Sequence, residues 1–253
     1  MRSFISWVGG KSKLAPEIVK QFPEHKTYVE VFGGAGWVLF RKEPSKVEVY
    51  NDIDGDLVNL FRVVKHRPSA LVERLNLVLY SRESYKEFTQ KWKERLPDEV
   101  DRAASFLYML RSAFGAKPGG GWAYGKTSKT RTIVDLDFLK EVQERLRMVY
   151  IDCQSWEKVI KAFDSPDTLF YLDPPYWLGE KFYQHEFTPE SHVALRDRLS
   201  AIDGKFLLSY NDSKEIRKLY KGRKIRSTGP IHYCGNNKRE SARMMSEILI
   251  RNF

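Results

Sequence analysis

Short runs of apolar and β-branched residues recur along the chain, and the segments between them carry apolar residues at helical spacing. Apolar runs of four or five residues bounded by turn residues are typical of buried strands. We predict strands at residues 27–31, 46–50, 148–151, 168–172, 205–209, 224–227 and 246–250. Helices are predicted between them, at residues 14–21, 189–202 and 213–220. Strands that alternate with helices indicate an α/β protein whose sheet is covered by helices on both faces.

The middle of the chain, from about residue 57 to residue 146, has a different pattern. It is mostly helical and rich in Lys, Arg and Glu, and the sequence KPGGG interrupts it at residues 117–121. Several glycines next to a proline favour a flexible loop. We therefore predict that residues 57–146 form a mostly helical domain inserted into a sheet domain, which consists of residues 1–56 and 147–253.

Composition narrows the classes of partner and compartment. The 253 residues include 43 Lys and Arg against 33 Asp and Glu, which gives a formal net charge of +10. This surplus fits a surface that neutralises nucleic-acid phosphates, although a basic surface that only aids solubility gives the same totals. No apolar run approaches the roughly 18 residues that span a bilayer, and the N-terminus lacks a secretory signal pattern. Cys153 and Cys234 have no metal-binding spacing. We expect a cytoplasmic protein without membrane contact, disulfide scaffold or metal.

The first predicted strand leads into a glycine-rich turn, FGGAG at residues 32–36. Glycines at the carboxyl end of a strand let the backbone approach a nucleoside-type ligand closely. The alternative is a tight strand–helix turn that needs glycine only for steric reasons. Asp52 follows the second predicted strand, at an offset where nucleotide-binding folds place an acid on the ribose hydroxyls. Its alternative role is to cap the following helix, which Asp54 can also do.

The strand predicted at residues 168–172 ends in the tetrad Asp173-Pro174-Pro175-Tyr176. A carboxylate at the end of a strand can accept a hydrogen bond from the exocyclic amino group of a base. The two prolines hold the next segment extended, so that a backbone carbonyl there has a fixed direction and can accept the second amino hydrogen. The tyrosine ring offers a face on which a base can stack. The alternative is an ordinary loop, which the position behind a glycine-rich turn disfavours.

Four motifs occur in a fixed order: FISWVGGK at residues 4–11, VFGGAG at 31–36, YND at 50–52 and DPPY at 173–176. Together they resemble the Dam-like (D12 class) S-adenosylmethionine-dependent DNA adenine-N6 methyltransferases. That family has Trp-x-Gly-Gly-Lys, Phe-x-Gly-x-Gly, an acid after the second strand and a late Asp-Pro-Pro-Tyr. The sequences LSYND and NKRE, further along the chain, resemble its later motifs. The resemblance implies a Rossmann-like methyltransferase sheet and covers nearly the whole chain outside the insertion.

The resemblance implies a cofactor site built from matching positions. The residues expected to contact S-adenosylmethionine or close its pocket are Trp7, Gly10, Lys11, Phe32, Gly33, Ala35, Gly36, Asp52 and Asp173. Asp152, after the third predicted strand, is expected at the adenine amine of the cofactor. Two of these residues have an alternative interpretation that involves no ligand. Lys11 is alternatively an ordinary surface lysine, and Trp7 is alternatively an aromatic residue of the core.

For the target base, the resemblance implies that Asp173 and the Pro174 carbonyl hold the N6 amine. Pro175 keeps the segment extended, and Tyr176 stacks on the flipped adenine. Direct methyl transfer is expected, since neither cysteine follows a proline as in enzymes that attack cytosine C6. A base inside a duplex cannot reach a buried cofactor, so a double-stranded substrate requires base flipping.

The insertion departs from the family pattern. Dam-like proteins carry there an arginine-containing hairpin that reads GATC, and only the arginine can be matched in this chain. The residues expected to contact DNA are Arg111, Trp122, Tyr124, Lys126, Lys129 and Arg131. For the last three, phosphate contacts are expected, with simple solvation as the alternative. GATC is therefore one option for the recognised site.

The function implied is methyl transfer from S-adenosylmethionine to adenine N6 in a short double-stranded DNA site. A cognate restriction endonuclease is one possible partner. The alternatives are N4-cytosine methylation, methylation of RNA or of protein glutamine, and a non-catalytic DNA-binding protein of the same fold. Asp173 disfavours N4-cytosine chemistry, where Ser is commoner at the first position of the tetrad.

Overall fold

The computed structural model describes residues 1–7, 9–123, 133, 135–177, 187–231 and 245–253. The strands are β1 (Thr27–Glu30), β2 (Val47–Asn51), β3 (Val149–Asp152), β4 (Thr168–Leu172), β5 (Lys205–Asn211), β6 (Lys224–Ile231) and β7 (Met245–Arg251). They form a seven-stranded sheet in the order β3-β2-β1-β4-β5-β7-β6. Neighbouring strands are parallel, except that β7 is antiparallel to both β5 and β6.

Every predicted strand is present, and the predicted α/β fold class is confirmed. The largest differences are at the carboxyl ends of β5 and β6, which continue past the apolar runs to Asn211 and Ile231. The cause is pairing with β7, since Asn211 lies opposite Glu247 and Ile231 lies opposite Met245. Backbone pairing prolongs a strand where the side chains alone give no signal.

The helices are α1 (Ala15–Val19), α2 (Trp37–Arg41), α3 (Gly55–His66), α4 (Pro68–Leu75), α5 (Arg82–Lys93), α6 (Glu99–Ser112), α7 (Leu136–Leu146), α8 (Trp156–Phe163), α9 (Pro189–Ser200) and α10 (Lys214–Leu219). The predicted helices at 14–21, 189–202 and 213–220 correspond to α1, α9 and α10, each shorter by a few end residues. None of the helices in the described residues combines the length and the apolar character needed to cross a membrane.

Both faces of the sheet are buried, because successive side chains of a strand point to opposite faces. In β1, Tyr28 belongs to the larger core, whereas Val29 belongs to the smaller core on the other face. In β4, Tyr171 and Leu172 divide in the same way. The strands therefore appear in the sequence as nearly continuous apolar runs.

The helices α3 to α7 cover the larger core. The most buried of them is α6, which packs against α3, α4 and α5. Phe61 of α3 and Phe106 of α6 share this core with Tyr50 of the sheet. Mostly helical structure across residues 57–146 agrees with the prediction, and the division into an inserted domain and a sheet domain stays a prediction.

The order of the strands creates a crevice. From β1 the chain proceeds outward on one side through β2 and β3, and then returns to place β4 on the other side of β1. Open α/β sheets bind ligands at such a switch point, outside the carboxyl ends of the strands. The region between the ends of β1 and β4 is therefore where a ligand site is expected.

A buried ion cluster ties α7 to the sheet. Arg145 Nη1 lies 2.6 Å from Glu48 Oε2, and Lys42 Nζ lies 2.5 Å from Glu48 Oε1. Arg145 Nη2 also donates to the Leu39 carbonyl at 2.8 Å. Burial acts to raise the pKa of Glu48, but the hydrogen bonds from Arg145 and Lys42 outweigh it and hold that pKa below its usual value.

Replacing Arg145 is expected to destabilise the fold. Arg145→Leu leaves a buried ion cluster incomplete, so the free energy of unfolding falls by about 3 kcal/mol at pH 7. The control is Arg147→Leu, since the Arg147–Glu144 pair is exposed and contributes less than about 1 kcal/mol. Urea unfolding measures both variants, and equal losses would contradict the assignment. The lowered pKa of Glu48 stabilises the fold above the ordinary carboxyl pKa of 4.5, so the Arg145 effect shrinks as pH falls below it.

Candidate active site

A cleft of about 900 Å³, partly open to solvent, lies at the carboxyl ends of β1, β2 and β4. This is the switch point of the sheet, where open α/β sheets bind ligands. The predicted site residues that line it are Trp7, Gly10, Lys11, Phe32, Gly33, Ala35, Asp52, Asp173 and Pro175. Four segments that are distant in sequence therefore meet at one place, as the four motifs predict.

The glycine-rich turn after β1 is packed tightly against the end of β2. A Cβ on Gly33 would lie 2.3 Å from the Tyr50 ring, so only glycine fits at this position. Gly33 N donates to the Asn51 carbonyl at 2.7 Å, and the Tyr50 hydroxyl donates to the Gly34 carbonyl at 2.7 Å. Gly36 has a φ of +66° at the start of α2 and does not line the cleft. The steric explanation thus holds for Gly33 and Gly36, while the turn also forms a cleft wall.

The two acidic residues after β2 have different roles. Asp54 caps α3, because its side chain accepts hydrogen bonds from Asp56 N and Leu57 N. Asp52 instead accepts from Gly34 N at 2.8 Å and from Asp54 N at 2.9 Å, and it lines the cleft. Asp52 is therefore placed to meet a ligand while it fixes the glycine-rich turn.

Lys11 is a buried cation at the inner end of the cleft. Its side chain is only 4% exposed, which excludes the surface alternative. Its ammonium lies 2.7 Å from Asp173 Oδ2, donates to the Gly9 carbonyl at 3.0 Å and sits 4.8 Å from the centre of the Tyr176 ring. A buried ammonium needs such partners to stay charged. Lys11 therefore joins the N-terminal motif to the tetrad after β4.

The tetrad is supported from β5. Ser209 Oγ donates to Asp173 Oδ1 at 2.7 Å, so each oxygen of this carboxylate has a protein partner. Pro174 is buried, and the Tyr176 ring lies 6.1 Å from that of Tyr210. These contacts fix the direction of Asp173, whose side chain keeps 19% of its surface exposed.

Residues 7–230 match the family of D12 class N6 adenine-specific DNA methyltransferases. The chain belongs to this family. A Type II methyltransferase of Lactococcus lactis subsp. cremoris is 32% identical over all of this chain and 96% of its own length. The DNA adenine methylase of Vibrio cholerae is 27% identical over 88% of this chain and 86% of its own length. Among solved structures, the rRNA methyltransferase aviRa from Streptomyces viridochromogenes aligns with 94% of this chain and 83% of its own, with a TM-score of 0.39 and 11% identity.

Membership of the D12 class establishes the reaction. The protein is an enzyme that transfers a methyl group to the N6 amino group of adenine in DNA. The expected family and activity are therefore confirmed, and the N4-cytosine and non-catalytic alternatives are set aside. Membership of the class also implies a methyl donor.

Some predicted contacts lie away from this cleft. Asp152 ends β3, where its carboxylate accepts from Cys153 N, and it is not among the lining residues. Arg111 donates to the Phe4 carbonyl at 2.6 Å and so links α6 to the N-terminal segment. Trp122 packs beneath the Arg82 guanidinium, at 5.3 Å. Their ligand contacts stay predictions, and the four residues Tyr124, Lys126, Lys129 and Arg131 lie outside the described residues.

The sequence motifs miss several residues at the site. Glu30, the last residue of β1, is 2% exposed and lines the cleft. Burial raises its pKa to about 8, although hydrogen bonds from the Tyr28 hydroxyl and Leu39 N act against this. Glu247 of β7 is fully buried near Lys11, and Pro118 of the insertion reaches the cleft wall. In both acids the signal is a glutamate directly next to the apolar residues of a strand, because such residues are rarely fully buried unless they are paired.

Gly33→Ala is expected to destabilise the enzyme. The added methyl group must displace the Tyr50 ring, which is stacked on Phe61 with ring centres 4.0 Å apart. Forced overpacking of this kind lowers the free energy of unfolding by about 2 kcal/mol. The control is Gly55→Ala, where a new Cβ meets nothing within 4 Å and a small gain in stability is expected. Urea unfolding at pH 7 tests the pair, and a Gly33→Ala variant as stable as Gly55→Ala would refute the steric account.

Proposed function

We propose that the enzyme takes its methyl group from S-adenosylmethionine and transfers it directly to an adenine flipped out of double-stranded DNA. The observation that supports this most is the setting of Asp173. Its carboxylate stands at the end of β4, oriented by Ser209 and Lys11, on the border of the cleft at the switch point of the sheet. The Asp173 carboxylate thus borders the cofactor cleft and is also the proposed hydrogen-bond acceptor for the target amine.

The residues around the cleft fit S-adenosylmethionine. The glycine-rich turn lets the backbone approach a ligand, since at Gly33 and Gly34 even a Cβ would press on the neighbouring rings. Asp52, at the end of β2, is where this class of fold hydrogen-bonds ribose hydroxyls. Trp7 and Phe32 supply apolar wall on either side of the turn. When bound, the cofactor supplies an electrophilic methyl group on a sulfonium.

The tetrad prepares the nucleophile. An adenine N6 lone pair is delocalised into the ring and attacks poorly while the nitrogen is planar. Asp173 and the Pro174 carbonyl accept its two hydrogens, which favours a pyramidal nitrogen with its lone pair directed at the methyl group. Tyr176 holds the base by stacking, and Pro175 keeps the carbonyl in place. Positioning and electrostatics supply most of the acceleration, without a covalent enzyme intermediate.

The depth of the site supports base flipping. Lys11 and Asp173 are too buried for a paired base to reach, so the adenine leaves the duplex. We propose that residues 57–146 recognise a short site, with phosphate contacts from the basic stretch 126–131. GATC is the first sequence to test. The Type II relative supports a cognate restriction endonuclease as partner, and the enzyme is proposed to act on DNA in the cytoplasm.

Asp173→Ala is expected to abolish methyl transfer and to leave DNA binding largely intact. Loss of the acceptor removes both the amine contact and the partner of Lys11, so the rate with tritiated S-adenosylmethionine falls at least about a thousandfold. The matched control is Asp167→Ala, which removes an exposed surface partner of Lys26 and keeps wild-type activity. DNA affinity is measured by fluorescence anisotropy for both variants. Activity surviving in Asp173→Ala would mean that the tetrad is misassigned.

Base flipping and specificity are tested on duplexes and on genomic DNA. Long-read sequencing of methylated genomic DNA is expected to show N6-methyladenine confined to one short motif. A duplex with 2-aminopurine in place of the target adenine is then expected to brighten severalfold on binding, because the base leaves the stack. 2-Aminopurine at a neighbouring position is the control. No brightening at the target position, with binding intact, would count against flipping.

A further inference from the structure

Glu247 is a carboxylate without an obvious structural role. It lies in β7, is fully buried, and the apolar residues Ile248 and Ile250 follow it in the strand. Neither of its carboxylate oxygens makes a hydrogen bond of normal geometry to another described residue. Charged groups are almost never buried in this way unless they are paired or functional. The role of this side chain therefore has to be sought among the groups that surround it.

The groups that face Glu247 come from the catalytic machinery. Lys11 Nζ lies 3.7 Å from Glu247 Oε1 and 2.7 Å from Asp173 Oδ2, so one ammonium stands between two carboxylates. The Tyr176 hydroxyl is close enough to Glu247 for its pKa to be raised by that carboxylate, after burial and Asp173. The Glu247 carboxylate also helps to raise the pKa of Tyr171 of β4, after burial, Asp173 and Glu30. From β6, Thr228 contributes an uncharged contact to the Glu247 backbone carbonyl.

The charge of this cluster depends on Glu247. Lys11 and Asp173 neutralise each other, so the cluster is neutral with Glu247 protonated and carries one negative charge with Glu247 ionised. Burial raises the pKa of Glu247 to about 7, with Lys11 acting to lower it and Asp173 to raise it. Both charge states are thus populated near neutral pH. Glu30 also lines the cleft, and burial raises its pKa to about 8, so it titrates above Glu247.

We infer that Glu247 is a positioning residue of the methyl-transfer reaction. Glu247 shares the Lys11 ammonium with Asp173. When Glu247 is ionised, the cluster of these three side chains carries a net negative charge, which favours a cation in the adjoining cleft. The inference rests on the proposed function, because S-adenosylmethionine is that cation. In the reaction the sulfur–methyl bond breaks with its electron pair left on sulfur, and N6 forms the new bond with its lone pair. One positive charge therefore moves from sulfur to N6, which then loses a proton. A negative cluster beside Asp173 stabilises the cation before and during transfer.

The first test compares two ligands that differ in charge. S-adenosylmethionine carries a sulfonium and S-adenosylhomocysteine a neutral thioether, so ionised Glu247 strengthens binding of the first only. Calorimetry with the wild-type enzyme is expected to show preference for S-adenosylmethionine that grows about fivefold between pH 6 and pH 8. In Glu247→Gln the part of this change that is centred near pH 7 is expected to disappear. Asp167→Asn is the control, in which the pH-dependent change in preference persists, because Asp167 is an exposed partner of Lys26.

The second test measures the rate. The kcat/KM of the wild-type enzyme for S-adenosylmethionine, measured on saturating DNA, is expected to rise with pH through about 7, the pKa of Glu247 in the free enzyme. Glu247→Gln removes this rise and leaves kcat about tenfold lower at pH 8, with the KM for DNA unchanged. Glu247→Asp restores the rise, because it keeps a carboxylate. A residue that only packs the strand would change stability and leave the pH profile in place.

The outcomes separate this inference from the proposed cofactor. If both ligands bind and Glu247→Gln keeps the pH-dependent preference, the inference is overturned and the cofactor stands. If neither ligand binds the wild-type enzyme, both are overturned. Should Glu247→Gln fail to fold, carbon-13 NMR of the wild-type glutamate carboxyls decides, because linkage requires S-adenosylmethionine to lower the Glu247 titration midpoint relative to S-adenosylhomocysteine. Equal midpoints would overturn the inference.

Discussion

The candidate active site depends on one buried ion pair, between Lys11 and Asp173. An ammonium that is 4% exposed is unstable in a protein interior unless carboxylates surround it, so its partners have to be in place before the charge can be buried. Those partners come from the end of β4 and from β7, while Lys11 comes from the N-terminal segment. The pair therefore joins the first motif of the chain to the tetrad, and the site exists only when the sheet is complete.

The sheet determines what this ion pair can do. Because the chain reverses direction across the sheet between β1 and β4, both strand ends open into the same crevice. The glycine-rich turn fills one side, fixed on β2 through Tyr50 and Asp52, and the tetrad fills the other, fixed on β5 through Ser209. Each half of the cleft is thus oriented by the strand next to it.

Much of this was open to prediction from the sequence. Strands buried on both faces appear as apolar runs, and motifs such as Asp173-Pro174-Pro175-Tyr176 bring their geometry with them. The strand ends beyond residue 209 and the positions of Glu30 and Glu247 were not predicted, because they follow from pairing with β7 and from burial in three dimensions. Asp152 ends the edge strand β3 beside Asp52, and its contact with a ligand stays a prediction.

The antiparallel strand β7 has a consequence for synthesis on the ribosome. It lies between β5 and β6, although both leave the ribosome before it does. Until residues 245–251 emerge, β5 has an unpaired edge with buried-type residues such as Leu207 and Tyr210, the kind of edge that recruits strands from other chains. The growing chain is thus exposed to aggregation until this strand emerges, and Lys11 lacks its second carboxylate until the same moment. Insertion of a single strand both closes the sheet and places Glu247 beside Lys11.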